Sequence, residues 1–91
     1  MNSTITVFIN PACGPCNALK DWLKKKGISF IEKDIINDEG VAREFREAGG
    51  MYTPTSFVEV GEEKIEIIGA DFGKFEKIIK NIGLRRRVKC L

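Results

Sequence analysis

Thr4-Ile5-Thr6-Val7-Phe8-Ile9-Asn10-Pro11-Ala12-Cys13-Gly14-Pro15-Cys16 is the stretch that decides the fold. Its first six residues are β-branched or aromatic. Ile5, Val7 and Ile9 share one face and Phe8 lies on the other, the pattern of a strand covered on both sides in an α/β sheet. Asn10-Pro11 ends the strand, because proline cannot donate to a β-ladder. From Cys13 to about Lys26 the apolar positions Leu19, Trp22 and Leu23 fall at helical spacing, with Ala18 beside them and Lys20, Asp21, Lys24 and Lys25 on the other face. Lys24, Lys25 and Lys26 suit a helix C-terminus, where the dipole favours cations, and Gly27 is a natural cap. A buried strand therefore runs into a helix, with two cysteines three apart at the junction.

Working outward, Ile28 to Glu32 reads as a second strand. Asn37, Asp38 and Glu39 supply an N-cap and an acidic first turn for a helix through Val41, Ala42, Phe45 and Ala48, which stops at Gly49-Gly50. Thr55 to Val60 and Glu63 to Ile68, joined at Gly61-Glu62, form a β-hairpin. After Gly69, residues Phe72, Phe75, Ile78, Ile79 and Ile82 recur at helical spacing and mark a last helix. The order β-α-β-α-β-β-α predicts an α/β fold with a mixed four-stranded sheet and helices on both faces. Residues 1–83 form one domain in this reading. Residues 84–91, with Arg85, Arg86 and Arg87, form a basic tail.

With 91 residues, 43% hydrophobic and 31% charged, the composition is that of an ordinary globular domain. A net charge of +2 gives no reason to expect nucleic acid or membrane as a partner. No apolar run approaches the roughly 20 residues needed to cross a bilayer, and Met1 to Asn10 lacks the features of a signal sequence. The expected location is the cytoplasm, and the expected state a monomer. There are no histidines, so Ser-His and Cys-His catalysis and the usual Cys/His zinc sites are excluded. Three cysteines are too few for a disulfide-stapled scaffold, and in a reducing compartment a close pair is catalytic or metal-binding.

Cys13 and Cys16 sit where the first turn of the helix begins. Unpaired N–H groups and the helix dipole there favour negative charge, lower a thiol pKa and raise the fraction of thiolate, the reactive form. The spacing lets both sulfurs join in one disulfide and so store two electrons. Pro15 fits just inside the helix start, where its missing N–H costs nothing. Cys13, leading the helix, is the candidate nucleophile, and Cys16, one turn in, the candidate resolving thiol. A second reading uses the pair as soft ligands for copper(I), zinc or a shared iron–sulfur cluster, although only Cys90 remains as a further thiolate.

These residues resemble the thioredoxin-like superfamily and, within it, the glutaredoxin branch, over Thr4 to about Ile82. Thr-Val-Phe-Ile-Asn-Pro-Ala-Cys-Gly-Pro-Cys is similar to a glutaredoxin's opening strand and active-site turn, while the Cys-Gly-Pro-Cys tetrapeptide itself is the one typical of thioredoxins. The resemblance implies a dithiol–disulfide oxidoreductase that reduces protein or small-molecule disulfides without a cofactor, fed by thioredoxin reductase or by glutathione. It implies that Gly14 and Pro15 support the site and that Pro54 is a cis-proline flanking Cys13. It further implies that Thr53 pairs with the substrate main chain, and that Gly69 and Asp71 hold the substrate's far end. On residue chemistry alone Asp71 is equally a helix N-cap. Five departures stand out, two of them being Thr53 in place of the family's valine before the cis-proline and Gly69 alone in place of paired glycines ahead of the acidic residue. Asn10 replaces the lysine that many glutaredoxins place three residues before the first cysteine. Ala12 replaces the thioredoxin tryptophan. No carboxylate precedes Cys13. Cys90 is a further redox participant or simply an exposed terminal thiol.

Overall fold

The computed structural model describes residues 3–82. The tail at 84–91, Cys90 included, lies outside the described residues. The chain forms β1 (Ser3–Ile9), α1 (Gly14–Lys25), β2 (Ile31–Asp34), α2 (Glu39–Glu47), β3 (Thr55–Val60), β4 (Glu63–Ile68) and α3 (Phe72–Ile82). The sheet order is β2-β1-β3-β4. β1 and β2 are parallel, with Thr6 opposite Ile31, and the other pairings are antiparallel. This is the mixed four-stranded sheet of the thioredoxin-like fold.

Alternation along β1 builds two cores. Ile5, Val7 and Ile9 point to one face, where they meet Leu19 and Leu23 of α1, Phe75 and Ile78 of α3, and Val58 and Ile67 of the hairpin. Trp22 joins α1 to α3 against Phe72, with ring centroids 5.2 Å apart. Phe8 points the other way and packs on Phe45 of α2 at 5.3 Å, with Phe57 edge-on at 5.9 Å. Helices therefore cover both faces, as the two-sided apolar pattern of β1 requires.

One element lies apart from its sequence expectation. The second strand, expected over residues 28–32, pairs over Ile31–Asp34 instead. Gly27 adopts φ 72° and the Ile28 amide donates to the Leu23 carbonyl at 3.0 Å. Residues 28–30 are thereby tied to the end of α1. Ile28 and Phe30 spend their apolar side chains on the core beneath the helices before ladder pairing starts. Burial without pairing looks the same as a strand in the sequence.

Because β1 and β2 are parallel while β3 starts and β4 ends beside them, four connections share one end of the sheet. They are residues 10–13, 35–38, 49–54 and 69–71. The Ile35 amide bonds the Ile9 carbonyl at 3.0 Å, and the Gly69 amide bonds the Pro54 carbonyl at 2.7 Å. This end carries the cysteines. Among the described residues no helix is long and apolar enough to cross a membrane.

A candidate dithiol site at the start of α1

Asn10 builds the turn that presents the first cysteine. Its side-chain oxygen accepts the Ala12 amide at 2.9 Å and its carbonyl accepts the Cys13 amide at 2.9 Å. Cys13 then has extended backbone, φ −91° and ψ 118°, and is the N-cap of α1. Its Sγ accepts the Cys16 amide at 3.3 Å. A thiol thus occupies the place that serine or aspartate usually fills, receiving an N–H that the helix leaves unpaired. Pro15, in the first helical turn, has no amide to leave unpaired. Gly14 and Pro15 are exposed, Cys13 is half-buried and Cys16 is fully buried. Both thiols are free.

The opposite wall is the α2–β3 connection. The Thr53–Pro54 peptide bond is cis, and Pro54 is buried. The Cys13 Sγ lies 3.6 Å from the Thr53 carbonyl. As a thiol, Cys13 donates weakly to that oxygen.

These contacts separate the two sulfurs. For Cys13, burial is the largest single effect and pushes the thiol pKa up. Hydrogen bonds from the Cys16 thiol, the Cys16 amide and Thr53 together outweigh it, so the Cys13 pKa lies below that of a free thiol. For Cys16, burial pushes the pKa up and the hydrogen bond to Cys13 pushes it further, against smaller opposing contributions from the Asn10 backbone and Thr53. Cys13 is the more acidic of the two thiols and Cys16 the less acidic. Environments that push paired titratable groups apart are how a site assigns two roles to one residue type.

Gly69 reaches this wall through its amide bond to the Pro54 carbonyl, and Asp71 follows at the start of α3. Gly69 has φ 82°, a conformation in which a Cβ is strained. The Asp71 carboxylate accepts the Lys74 amide at 3.1 Å and its carbonyl accepts the Phe75 amide at 3.1 Å. Asp71 therefore caps α3, the role its position in the sequence also allowed. The Asn10 side chain, standing where many glutaredoxins carry lysine, is closed into its own turn. Two features escaped the sequence reading. Met51 and Tyr52 are 79% and 64% exposed in the connection that carries Thr53. Thr55 and Ser56 are the buried polar residues among those described, hidden in what reads as an ordinary strand. Among the described residues no group of three or more His, Cys, Asp or Glu side chains is placed to hold a metal ion.

Comparison with known proteins supports the same assignment. In solved structures the fold is similar to thioredoxin O2 from Arabidopsis thaliana in its oxidised state, with a TM-score of 0.71 and 21% identity over 87% of this chain and 73% of that one. It is similar to reduced thioredoxin from Schistosoma mansoni, with a TM-score of 0.71 and 24% identity over 88% and 78%. A variant of the thioredoxin-like protein BC3987 matches with a TM-score of 0.69 and 26% identity over 85% of this chain and 95% of that one. Among curated proteins, the global transcriptional regulator Spx of Streptococcus pneumoniae is 33% identical over 42 residues, 46% of this chain and 32% of that protein. The match thus spans about a third of that regulator's length. The glutaredoxin family model matches residues 5–62, well over half of the chain. With the strand order, the cysteine pair and the cis-proline beside it, this makes the chain a member of the glutaredoxin family.

Proposed function

We propose that the protein is a dithiol–disulfide oxidoreductase that reduces disulfides in proteins, with Cys13 as nucleophile and Cys16 as resolving thiol. The observation that carries the reading is the Cys16 amide donating to the Cys13 Sγ at 3.3 Å. It gives the sulfur an N-cap position where charge is stabilised before any substrate arrives.

The chemistry follows from the split between the two thiols. The Cys13 thiolate attacks one sulfur of a substrate disulfide, the S–S bond breaks, and the departing sulfur leaves as thiolate and takes a proton from water. A Cys13–substrate mixed disulfide remains. Cys16 then loses its proton and attacks the Cys13 sulfur. The second substrate sulfur departs as thiolate and takes up the proton. The Cys13–Cys16 disulfide forms, and two electrons have passed to the substrate. Burial raises the Cys16 pKa, which disfavours its thiolate in the reduced pair.

Two features support a protein as substrate and as electron donor. Exposed Met51, Tyr52 and Ile36 stand at the same end of the sheet as Cys13, an apolar surface of the kind that partner proteins cover. The Asn10 side chain, committed to the Ala12 amide, offers no cation for a glutathione carboxylate. Thioredoxin reductase is accordingly the proposed reductant, and Thr53, Gly69 and Asp71 are the proposed substrate-side positions around Pro54. The reading takes the protein as a cytoplasmic monomer. Insulin reduction driven by NADPH and thioredoxin reductase, compared with NADPH, glutathione and glutathione reductase, tests it. Turnover with the first system alone is expected. Faster turnover with glutathione would overturn the proposed donor, and no turnover with either would overturn the activity.

A further inference from the structure

The connection that faces Cys13 is anchored from below by a side chain with no other evident task. Thr55 is 1% exposed, the first residue of β3, paired in register with Phe8 on one side and Ile68 on the other. Its hydroxyl donates to the Tyr52 carbonyl at 2.5 Å. That carbonyl belongs to the peptide unit that leads into Thr53. On the far side of Thr53, the Pro54 carbonyl accepts the Gly69 amide at 2.7 Å. Thr53 is thus held between two anchors, and Thr55 supplies the one made by a side chain. A hydroxyl enclosed in a sheet centre is costly unless it is bonded. The bond here goes to the active-site connection rather than to a neighbouring strand.

We propose that Thr55 is a positioning residue: its hydroxyl holds the Tyr52 carbonyl and thereby fixes Thr53 beside the Cys13 sulfur. The proposal rests on the oxidoreductase reading for its consequence in turnover, but its geometry does not depend on it. Thr53 approaches Cys13 through its carbonyl, 3.6 Å from the sulfur, so a small rotation of the 52–53 peptide unit changes that contact. The same bond holds the Tyr52 backbone down while its side chain stays in solvent. Thr55 therefore governs the Cys13 microenvironment without touching the sulfur.

Ser56 provides the internal control. It is the next residue, also buried at 0% exposure, and its Oγ has no hydrogen-bond partner among the described residues. Removing it deletes a buried hydroxyl in the same strand without releasing the connection.

The experiment measures the pH profile of Cys13 alkylation by iodoacetamide in a Cys16→Ser background, followed by mass spectrometry of the Cys13 peptide. Thr55→Val keeps the β-branched shape and loses the bond. It should shift the profile along the pH axis, changing the rate below the midpoint about threefold to tenfold, as expected for altering one polar contact of a charged group. Thr55→Ser should restore most of the rate, and Ser56→Ala should leave the profile in place. If Thr55→Val does not fold, Thr55→Ala compared with Thr55→Ser carries the same contrast. A Thr55→Val profile that superimposes on the parent overturns the proposal, as does a Ser56→Ala shift of equal size. Failure of the oxidoreductase reading would show separately, as a wild-type protein with this alkylation profile and no insulin reduction.

Discussion

Gly50→Ala tests how α2 is seated on the sheet, and so how the Cys13-facing connection begins. The Gly50 amide bonds the Phe45 carbonyl at 2.8 Å, which brings the backbone against the Phe45 ring. A Cβ at position 50 would fall among the Cδ1, Cε1 and Cζ atoms of that ring, closer than carbon atoms tolerate. Phe45 is 7% exposed and packs at a 43° tilt against Phe8, so the ring has little room to move aside. Overpacking of this kind costs about 1–3 kcal/mol. Against it, alanine narrows the unfolded ensemble and returns about 0.4–1 kcal/mol. The net loss, centred near about 1.3 kcal/mol, lowers Tm by roughly 5–10 °C in a domain of this size. Gly14→Ala is the counterpart. Its Cβ would meet nothing within 4 Å, and alanine in a helical position gains up to about 1 kcal/mol. Thermal unfolding of the reduced proteins, followed by far-UV circular dichroism, should show shifts of opposite sign. A Gly50→Ala protein that melts at or above the wild type would refute the reasoning.

The cysteine pair makes the stability of the reduced protein depend on pH. The Cys13 pKa is lowered by folding, so its contribution is present above the unfolded thiol pKa and is lost as pH falls through the folded value. The Cys16 pKa is raised, so its contribution is present below the unfolded thiol pKa and is lost as pH rises through its folded value. Urea unfolding on the alkaline side should therefore show a steeper loss of stability in wild type than in Cys16→Ala, and equal slopes would contradict this. Thr53→Val removes a side-chain hydroxyl that lowers the pKa of both thiols, and the Cys13 alkylation profile should move to higher pH; an unchanged or lower midpoint would count against the donor role of Thr53. Asp38 caps α2 through the Gly40 and Val41 amides at 3.0 and 3.2 Å. Asp38→Ala should destabilise by about 1 kcal/mol, read in urea midpoints, and a neutral result would show that water replaces the cap.

Most of the fold was legible because local chemistry and tertiary demand agree. Thr55 to Val60 and Glu63 to Ile68 stand in the structure with the limits their alternation predicts, since Gly61 at φ 60° makes the tight turn that fixes their register. β2 was displaced because Ile28 and Phe30 are half-buried for packing and not for pairing, a distinction that only the end of α1 makes. At the site, the helix start and the placement of both cysteines on its first turn were readable from Cys13-Gly14-Pro15-Cys16. The cis bond at Pro54 was not readable from residue chemistry and came only from the family resemblance. Thr55 was invisible as a functional candidate, because threonine in a strand is ordinary and its bond to Tyr52 exists only once the 49–54 connection is folded. Asp71 illustrates the reverse: cap and substrate anchor share one sequence signature, and the Lys74 amide shows the cap.

The central claim is that Cys13 is the attacking sulfur and Cys16 completes the exchange. It is tested most directly by mixing reduced Cys16→Ser protein with oxidised insulin and analysing the products by non-reducing mass spectrometry. The account predicts a one-to-one mixed disulfide on the Cys13 peptide, released by dithiothreitol, and no reductase turnover from Cys13→Ser. Trapping at Cys90 with none at Cys13, or undiminished turnover by Cys13→Ser, would contradict it.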